Sequence, residues 1–282
     1  VSESISSFCS FNRKKLIRVV YDIAELLLLS VASINFFRDL KMKREWTNKI
    51  RYILDELIPP VIRDSRWFMQ PFFVAAYRKF SVNEYMTFKS RAYSMTEEEY
   101  AQFYGALGNS ISRRRVTDLN AASLNYLINV MPNAPGLSIL DVGSGNGYLL
   151  EQLSTLNSWA RIAGVDVAPS EKVAVKFESY AGALPKLPFK DNEFDIVTCT
   201  HVIEHVLNAP ASAKELIRVA REMVLVVVPR QRYYYYTLDE HLNFYPRVEP
   251  LMSLFAPFHV TASLQDGDWV LTINLTEKSE VD

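Results

Sequence analysis

The sequence predicts an α/β fold: a doubly wound, mostly parallel sheet of seven strands that ends in an antiparallel hairpin and follows an N-terminal helical region. Three observations predict it. From Lys41 to Met131 the apolar residues keep helical spacing. Beyond Pro132-Asn133-Ala134-Pro135-Gly136 short β-branched runs alternate with helical stretches, as in strands joined by crossover helices. Asp266-Gly267-Asp268 separates the last two runs and reads as a hairpin turn. The Pro/Gly linker divides the chain into residues 1–131, a helical cap or oligomerisation region, and residues 137–282, the α/β domain.

The chain has 282 residues, 49% hydrophobic and 22% charged, which suits one large domain or a main domain plus a smaller helical one. Its 31 Lys and Arg balance 32 Asp and Glu, so general affinity for nucleic acid is not favoured, because phosphate binding shows as a basic excess. Cys9 and Cys199 are the two cysteines, and the second falls in an apolar strand pattern. A disulfide framework is therefore not expected, and a reducing, cytoplasmic compartment is. No cleavable signal peptide is evident.

Leu16 to Phe37 has apolar residues at helical spacing, but Arg18, Asp22 and Glu25 interrupt it, so it reads as an amphipathic helix rather than a membrane span. Burial against the N-terminal region is the simplest use of such a face. A homodimer contact or a peripheral membrane contact would use the same face, and Arg13-Lys14-Lys15 just before it is compatible with lipid headgroups. Four or five helices are expected from Lys41 to Met131, with breaks at Pro59-Pro60, at Pro71 and around 105–110, and with a capping box at Thr96 and Glu99. The many large aromatics here, among them Trp67, Phe73, Tyr100 and Tyr104, read either as core or as a lid over a bulky acceptor.

The strand candidates are 138–142, 161–166, 175–180, 194–200, 223–228, 259–265 and 269–275. Gly143-Ser144-Gly145-Asn146-Gly147 turns the first strand into the helix beginning at Tyr148. Glycines there let the backbone approach a ligand where a Cβ would collide, and the helix start offers amide donors. Dinucleotide enzymes share such a loop, but here the third glycine comes one residue early. Asp166 ends the second strand, where a carboxylate can accept both hydroxyls of a ribose.

With Asp141 ahead of the loop, this string resembles motif I of the class I S-adenosylmethionine-dependent methyltransferases, a Rossmann-like family. The run from Gly182 to Asp195, with Leu187-Pro188-Phe189 and Phe194-Asp195, resembles the signature of the ubiquinone and menaquinone methyltransferase group. The resemblance implies S-adenosyl-L-methionine as cofactor, Asp141 orienting the loop and the methionine ammonium, and Gly143 to Gly145 beneath the methionine and ribose. It implies a cofactor-binding set of Asp141, Gly143, Ser144, Gly145, Gly147, Asp166, Val167, Ala183, Leu184 and Thr200. One departure is Ala183, where the family commonly has an aspartate for the adenine amino group, so backbone groups and apolar contacts would read the adenine. A second is the short stretch between Asp166 and Val175, with room for scarcely two helical turns.

After the fourth strand, His201-Val202-Ile203-Glu204-His205 is expected to open a helix that presents residues 201, 204 and 205 on one face. The same spacing serves zinc peptidases, but its place beside a cofactor loop sets that reading aside. Some methyltransferase relatives have Glu-x-x-Glu-His here to hold a divalent ion, and RNA enzymes add a histidine after the fifth strand, where this chain has His241. The metal candidates are thus His201, Glu204, His205 and His241; histidines in place of carboxylates would favour an ion softer than magnesium. A divalent metal is compatible but not favoured over a metal-free site in which His201 or His241 is the general base, a histidine titrating close to neutrality. Transfer driven by orientation alone is the third reading. Arg230-Gln231-Arg232 and Tyr233 to Tyr236 would suit a saccharide or aromatic substrate, or form a strand-like arm packed on the N-terminal helices.

These readings converge on a methyltransferase, with O-methylation of a small molecule, lipid-linked intermediate or saccharide under an aromatic cap. The alternatives are a protein or RNA methyltransferase, and a non-catalytic assembly module that keeps the fold.

Overall fold

The computed structural model describes residues 58–76, 82–106, 116–156 and 158–278. The expected amphipathic helix from Leu16 to Phe37, with its dimer or membrane contact, lies outside the described residues. The chain forms two compact units, Val1–Arg63 and Asp64–Asp282. Of the first, the described part carries the one-turn helix α1 (Pro60–Arg63), opened at the expected Pro59-Pro60 break by amides of Ile62 and Arg63 bonded to the Pro59 carbonyl.

The second unit begins with α2 (Arg66–Ala76), α3 (Val82–Met86), α4 (Phe88–Ala92), α5 (Glu97–Ala106) and α6 (Ala121–Val130), so these helices belong to the same compact unit as the sheet. The α5 capping box forms as expected: Glu99 Oε2 accepts from the Thr96 amide at 2.8 Å, and Thr96 Oγ1 accepts from the Glu99 amide at 3.2 Å. Pro71 does not break the chain into two helices but sits inside α2. The interior proline removes one helical hydrogen bond. Burial of Met69 and Phe73, four residues apart on one face, offsets it.

The sheet contains β1 (Ser138–Val142), β2 (Arg161–Asp166), β3 (Glu178–Ala181), β4 (Phe194–Thr200), β5 (Ala220–Pro229), β6 (Phe258–Gln265) and β7 (Asp268–Lys278) in the order β3-β2-β1-β4-β5-β7-β6. The first five run parallel, and β7 is antiparallel to both β5 and β6. Alternate side chains feed two cores, as period-two strands require. Val197, Val224 and Val226 face α9 (Ala209–Val219) and its Leu216, while Ile196, Leu225 and Val227 pack with Leu127 of α6 and Leu153 of α7 (Tyr148–Ser154). The β6–β7 connection is the expected tight turn: Gln265 pairs with Asp268, and Asp266 and Gly267 both take positive φ, 46° and 89°. Among the described residues no helix is long and apolar enough to cross a membrane.

Two expected elements differ. The strand at 175–180 is instead the end of α8 (Glu171–Lys176) followed by β3. Val175, which invited a strand, is exposed on the last turn of that helix, while Val173 supplies its buried contact; tertiary packing overrides β-branched propensity here. The segment from His201 to His205 is a turn, not a helix. The His201 amide still bonds the Val227 carbonyl as a continuation of β4, and the helix starts only at Ala209, where Asn208 caps the Ala211 amide at 3.0 Å.

Candidate active site

β1 delivers the chain to the glycine loop at the carboxyl edge of the sheet, next to the end of β2. Gly143 has φ +78°, and a Cβ there would lie 2.2 Å from Cγ2 of Val202, so no larger residue fits while Val202 keeps its place. Asp166 ties the loop to β2: its Oδ2 accepts from the Gly145 amide at 2.9 Å and its Oδ1 from the Ala168 amide at 3.0 Å. Asp141 is buried under the loop and accepts from Thr198 Oγ1 at 2.8 Å. Burial pushes its carboxyl up to about 7 against the Thr198 hydrogen bond, with the nearby Asp166 charge adding to the rise. A desolvated carboxylate of this kind gains from a bound ammonium, which fits the ligand expected there.

A cavity of about 340 Å³ runs from this loop toward α5. Its wall includes nine of the ten expected cofactor residues: Asp141, Gly143, Ser144, Gly145, Asp166, Val167, Ala183, Leu184 and Thr200. Gly147 is the exception and does not line the cavity. It caps α7 with φ +78°, and a Cβ there would come 2.8 Å from Cγ2 of Val173, so its role is the close approach of α8. Residues the sequence did not single out for the wall include Leu119, Asn146, Tyr148, Ser170 and Gly182, and Tyr100 and Tyr104 stand at the far end beside His205 and Val206. Tyr100 and Tyr104 are among the aromatics that the sequence reads either as core or as a lid. The Phe194-Asp195 end of the second motif is structural, since Asp195 Oδ2 accepts from the Ser138 amide and hydroxyl and fastens β4 to β1.

The histidines separate into different roles. His201 also borders the cavity, but its ring lies between two buried carboxylates, with Nδ1 3.2 Å from Glu204 Oε1 and Nε2 3.4 Å from Asp268 Oδ2. Burial alone would depress its pKa; hydrogen bonds and charges from Asp268 and Glu204 outweigh that and raise it to about 10. Each ring nitrogen of His201 thus faces a carboxylate oxygen, an arrangement that favours the cation over a general base or a metal ligand. Asp268 in turn accepts from Asn120 Nδ2 at 2.8 Å, and Asn120 Oδ1 caps α6 through the Ser123 amide at 2.7 Å.

His205 borders the cavity with its Nδ1 3.3 Å from the Glu240 carbonyl. His241 sits one ring behind it, edge to face at 4.7 Å, and does not line the cavity. Its Nδ1 is 2.6 Å from Gln231 Oε1. Two loops meet here: the Glu204 carbonyl accepts from the amides of Leu242 and Asn243, and Asn243 Nδ2 donates to the carbonyls of Ile203 and Val206. Glu204, His205 and His241 thereby bring one ligand atom each to within 4.8 Å of one another, so three of the four candidate metal residues converge and His201 stands aside.

The tyrosine run packs on the helical region as an irregular arm rather than a strand. Tyr236 meets Phe73 edge to face, and Lys89 Nζ of α4 donates to the Tyr234 carbonyl while lying over the Tyr233 and Phe244 rings at 4.4 and 4.1 Å. Burial lowers the Lys89 pKa to about 7 against the attraction of Asp64. The folded pKa lies below the ordinary 10.5, so the cost of burying the cation is full below pH 7 and fades as pH rises from 7 to 10.5. Lys89→Met is therefore expected to raise the unfolding free energy at pH 6 by about 1–4 kcal/mol, and by less at pH 10. Thermal unfolding across a pH series checks this; a variant less stable than the parent at pH 6 contradicts it.

Residues 140–228 match the methyltransferase domain family. The ubiquinone biosynthesis O-methyltransferase of Albidiferax ferrireducens is 27% identical over 137 residues, covering 45% of this chain and 50% of that protein. The demethylmenaquinone methyltransferase of Mycobacterium bovis is 32% identical over 88 residues, covering 31% of this chain and 38% of that protein. The chain thus spans half the length, or less, of these curated relatives. Among solved structures, a chain of the complex between the Haloferax volcanii Trm112 methyltransferase activator and a methyltransferase superposes with a TM-score of 0.51 at 16% identity, over 64% of this chain and 99% of that one. The fold is that of the class I methyltransferases. The segment 140–228 is a methyltransferase domain, a class that uses S-adenosylmethionine.

Proposed function

We propose that this chain transfers the methyl group of S-adenosylmethionine to an oxygen of a small molecule, a lipid-linked intermediate or a saccharide, with α3 to α5 as a cap over the acceptor. The observation that carries this reading is one continuous cavity, joining the glycine loop and Asp166 to an aromatic end at Tyr100 and Tyr104. Aromatic walls suit a ring or an isoprenoid, and the quinone-pathway relatives act on such compounds by name. The cap is anchored to the acceptor loops by hydroxyls, Tyr93 donating to the Leu242 carbonyl at 3.1 Å and Tyr100 to the His205 carbonyl.

When bound, the cofactor supplies an electrophilic sulfonium methyl. Asp141 receives its ammonium, Asp166 its ribose hydroxyls, and Ala183 and Leu184 border its adenine. No carboxylate at 183 reaches the adenine, so the hold on that end rests on backbone and shape. With His201 held between two carboxylates, transfer depends on the alignment of the acceptor oxygen with the methyl, the acceptor's proton passing to solvent as S-adenosylhomocysteine leaves.

Calorimetric titration with S-adenosylhomocysteine is expected to show one site, and no heat at millimolar ligand would sink the reading. A mass-spectrometric screen of phenolic, polyprenylated and saccharide acceptors then reads the substrate class. Methylation confined to peptide or RNA acceptors would replace it.

A further inference from the structure

We propose that α2 and the tyrosine arm form a surface that rests on an anionic lipid bilayer, with Trp67, Val74, Tyr233 and Tyr235 entering the headgroup layer. α2 is apolar on two sides. Met69 and Phe73 are buried, whereas Trp67, Pro71 and Val74, at positions i, i+4 and i+7, form a second stripe that is exposed. Trp67 is 68% exposed and Val74 47%, and Arg66 is the one charged residue among the 11 of the helix. A helix side that faces only water carries polar side chains, so an outward apolar stripe marks a contact surface.

The arm widens the same surface. Tyr236 meets Phe73, and the Tyr235 amide donates to Asp64 Oδ1 at 3.0 Å, two contacts that lay the arm along α2. Tyr234 is buried while Tyr233 and Tyr235 on either side of it are 51% and 43% exposed, so alternate rings face outward. Trp67 is braced by Phe68, edge to face at 5.9 Å, which holds its ring on the outer side.

The residue types select the occupant. Trp and Tyr join an apolar ring to a polar edge and settle at the boundary between acyl chains and headgroups. Arg66, Arg230 and Arg232 are exposed on the same two segments; the acidic neighbours are Asp64, whose carboxylate accepts from the Tyr235 amide, and Glu84 of α3. This positive excess beside exposed rings complements anionic phospholipid. A second copy of the chain would set like charge against like across a two-fold contact. With 11 residues α2 is too short to cross the hydrocarbon, so the contact lies in the plane of the headgroups. Lipid binding is read without cofactor or acceptor, so this proposal and the methyltransferase reading fail separately.

The test is flotation of the full chain with vesicles of phosphatidylcholine, with and without phosphatidylglycerol. Binding to the anionic vesicles is expected to be about tenfold or more tighter than to the neutral ones, and weaker at high salt. Trp67→Ser/Val74→Ser/Tyr235→Ser should weaken it by about tenfold or more, with folding verified by circular dichroism. Brominated phosphatidylcholine in the anionic vesicles should quench the tryptophan emission of the unaltered protein, and the quenching should fall in Trp67→Phe, which keeps a ring at that position. No binding to anionic vesicles, equal binding to neutral ones, undiminished binding by the folded triple variant, or quenching that is absent or undiminished in Trp67→Phe relative to the parent would each overturn the proposal. A dimer seen by analytical ultracentrifugation and abolished in the triple variant would overturn it too, by giving the face to a second copy. The quenching of Trp67→Phe decides even if the triple variant does not fold.

Discussion

His201→Ala is expected to lower the unfolding free energy by about 3–5 kcal/mol, the cost of removing one partner from a buried ion pair. The ring stands between Glu204 and Asp268, which are 1% and 0% exposed, so its loss leaves two desolvated carboxylates facing each other across a void. Asp268 also anchors Asn120, which caps α6, so the disturbance reaches a helix on the other side of the sheet edge. The double variant His201→Ala/Asp268→Ala should lose less than the sum of the singles, because the second change removes one orphaned charge. Urea denaturation of the four proteins measures this. A loss under about 1 kcal/mol for His201→Ala would mean that the pair is not the buried ion network described.

Asp166→Ala is expected to weaken S-adenosylhomocysteine by about 100-fold or more. The carboxylate would lose charge-assisted hydrogen bonds to two ribose hydroxyls, each contributing about 1.5–3 kcal/mol. It also holds the Gly145 amide, so the loop that receives the methionine end would lose its tie to β2. Asp166→Asn, which keeps one acceptor oxygen, should fall between the parent and the alanine variant. Calorimetry reads the ratio directly; a loss below about tenfold for the alanine variant would remove Asp166 from the cofactor site.

Much of the fold could be read along the chain. β1, β2 and β4 have the bounds expected of them because each is a short apolar run, rich in branched side chains, that stops at a glycine, a carboxylate or a turn. The glycine loop was legible for the same local reason, as was the Thr96 capping box. The misreadings share a different cause. Val175 has strand propensity but sits on a helix whose one buried valine is its neighbour at 173, and Pro71 is carried by burial of Met69 and Phe73.

The acceptor side was half legible. The motif around Glu204 and His205 and the later His241 could be matched to relatives, yet the role of His201 could not, because its decisive partner Asp268 belongs to the terminal hairpin. That partner is itself anchored by a residue 148 positions earlier. Nothing local in His201-Val202-Ile203-Glu204-His205 distinguishes a base from a buried cation. Gln231 and Glu240, which orient the other two rings, were hidden in the same way.

The bond between His201 and Asp268 also sets an order of assembly. β1 to β5 and the glycine loop can form while the ribosome is still adding the hairpin, but the carboxylate that holds His201 arrives with β7. The aromatic end at α5 is made earlier still, so what waits for the hairpin is the second carboxylate beside His201. Completion of the hairpin is then the event that seats this ring between Glu204 and Asp268.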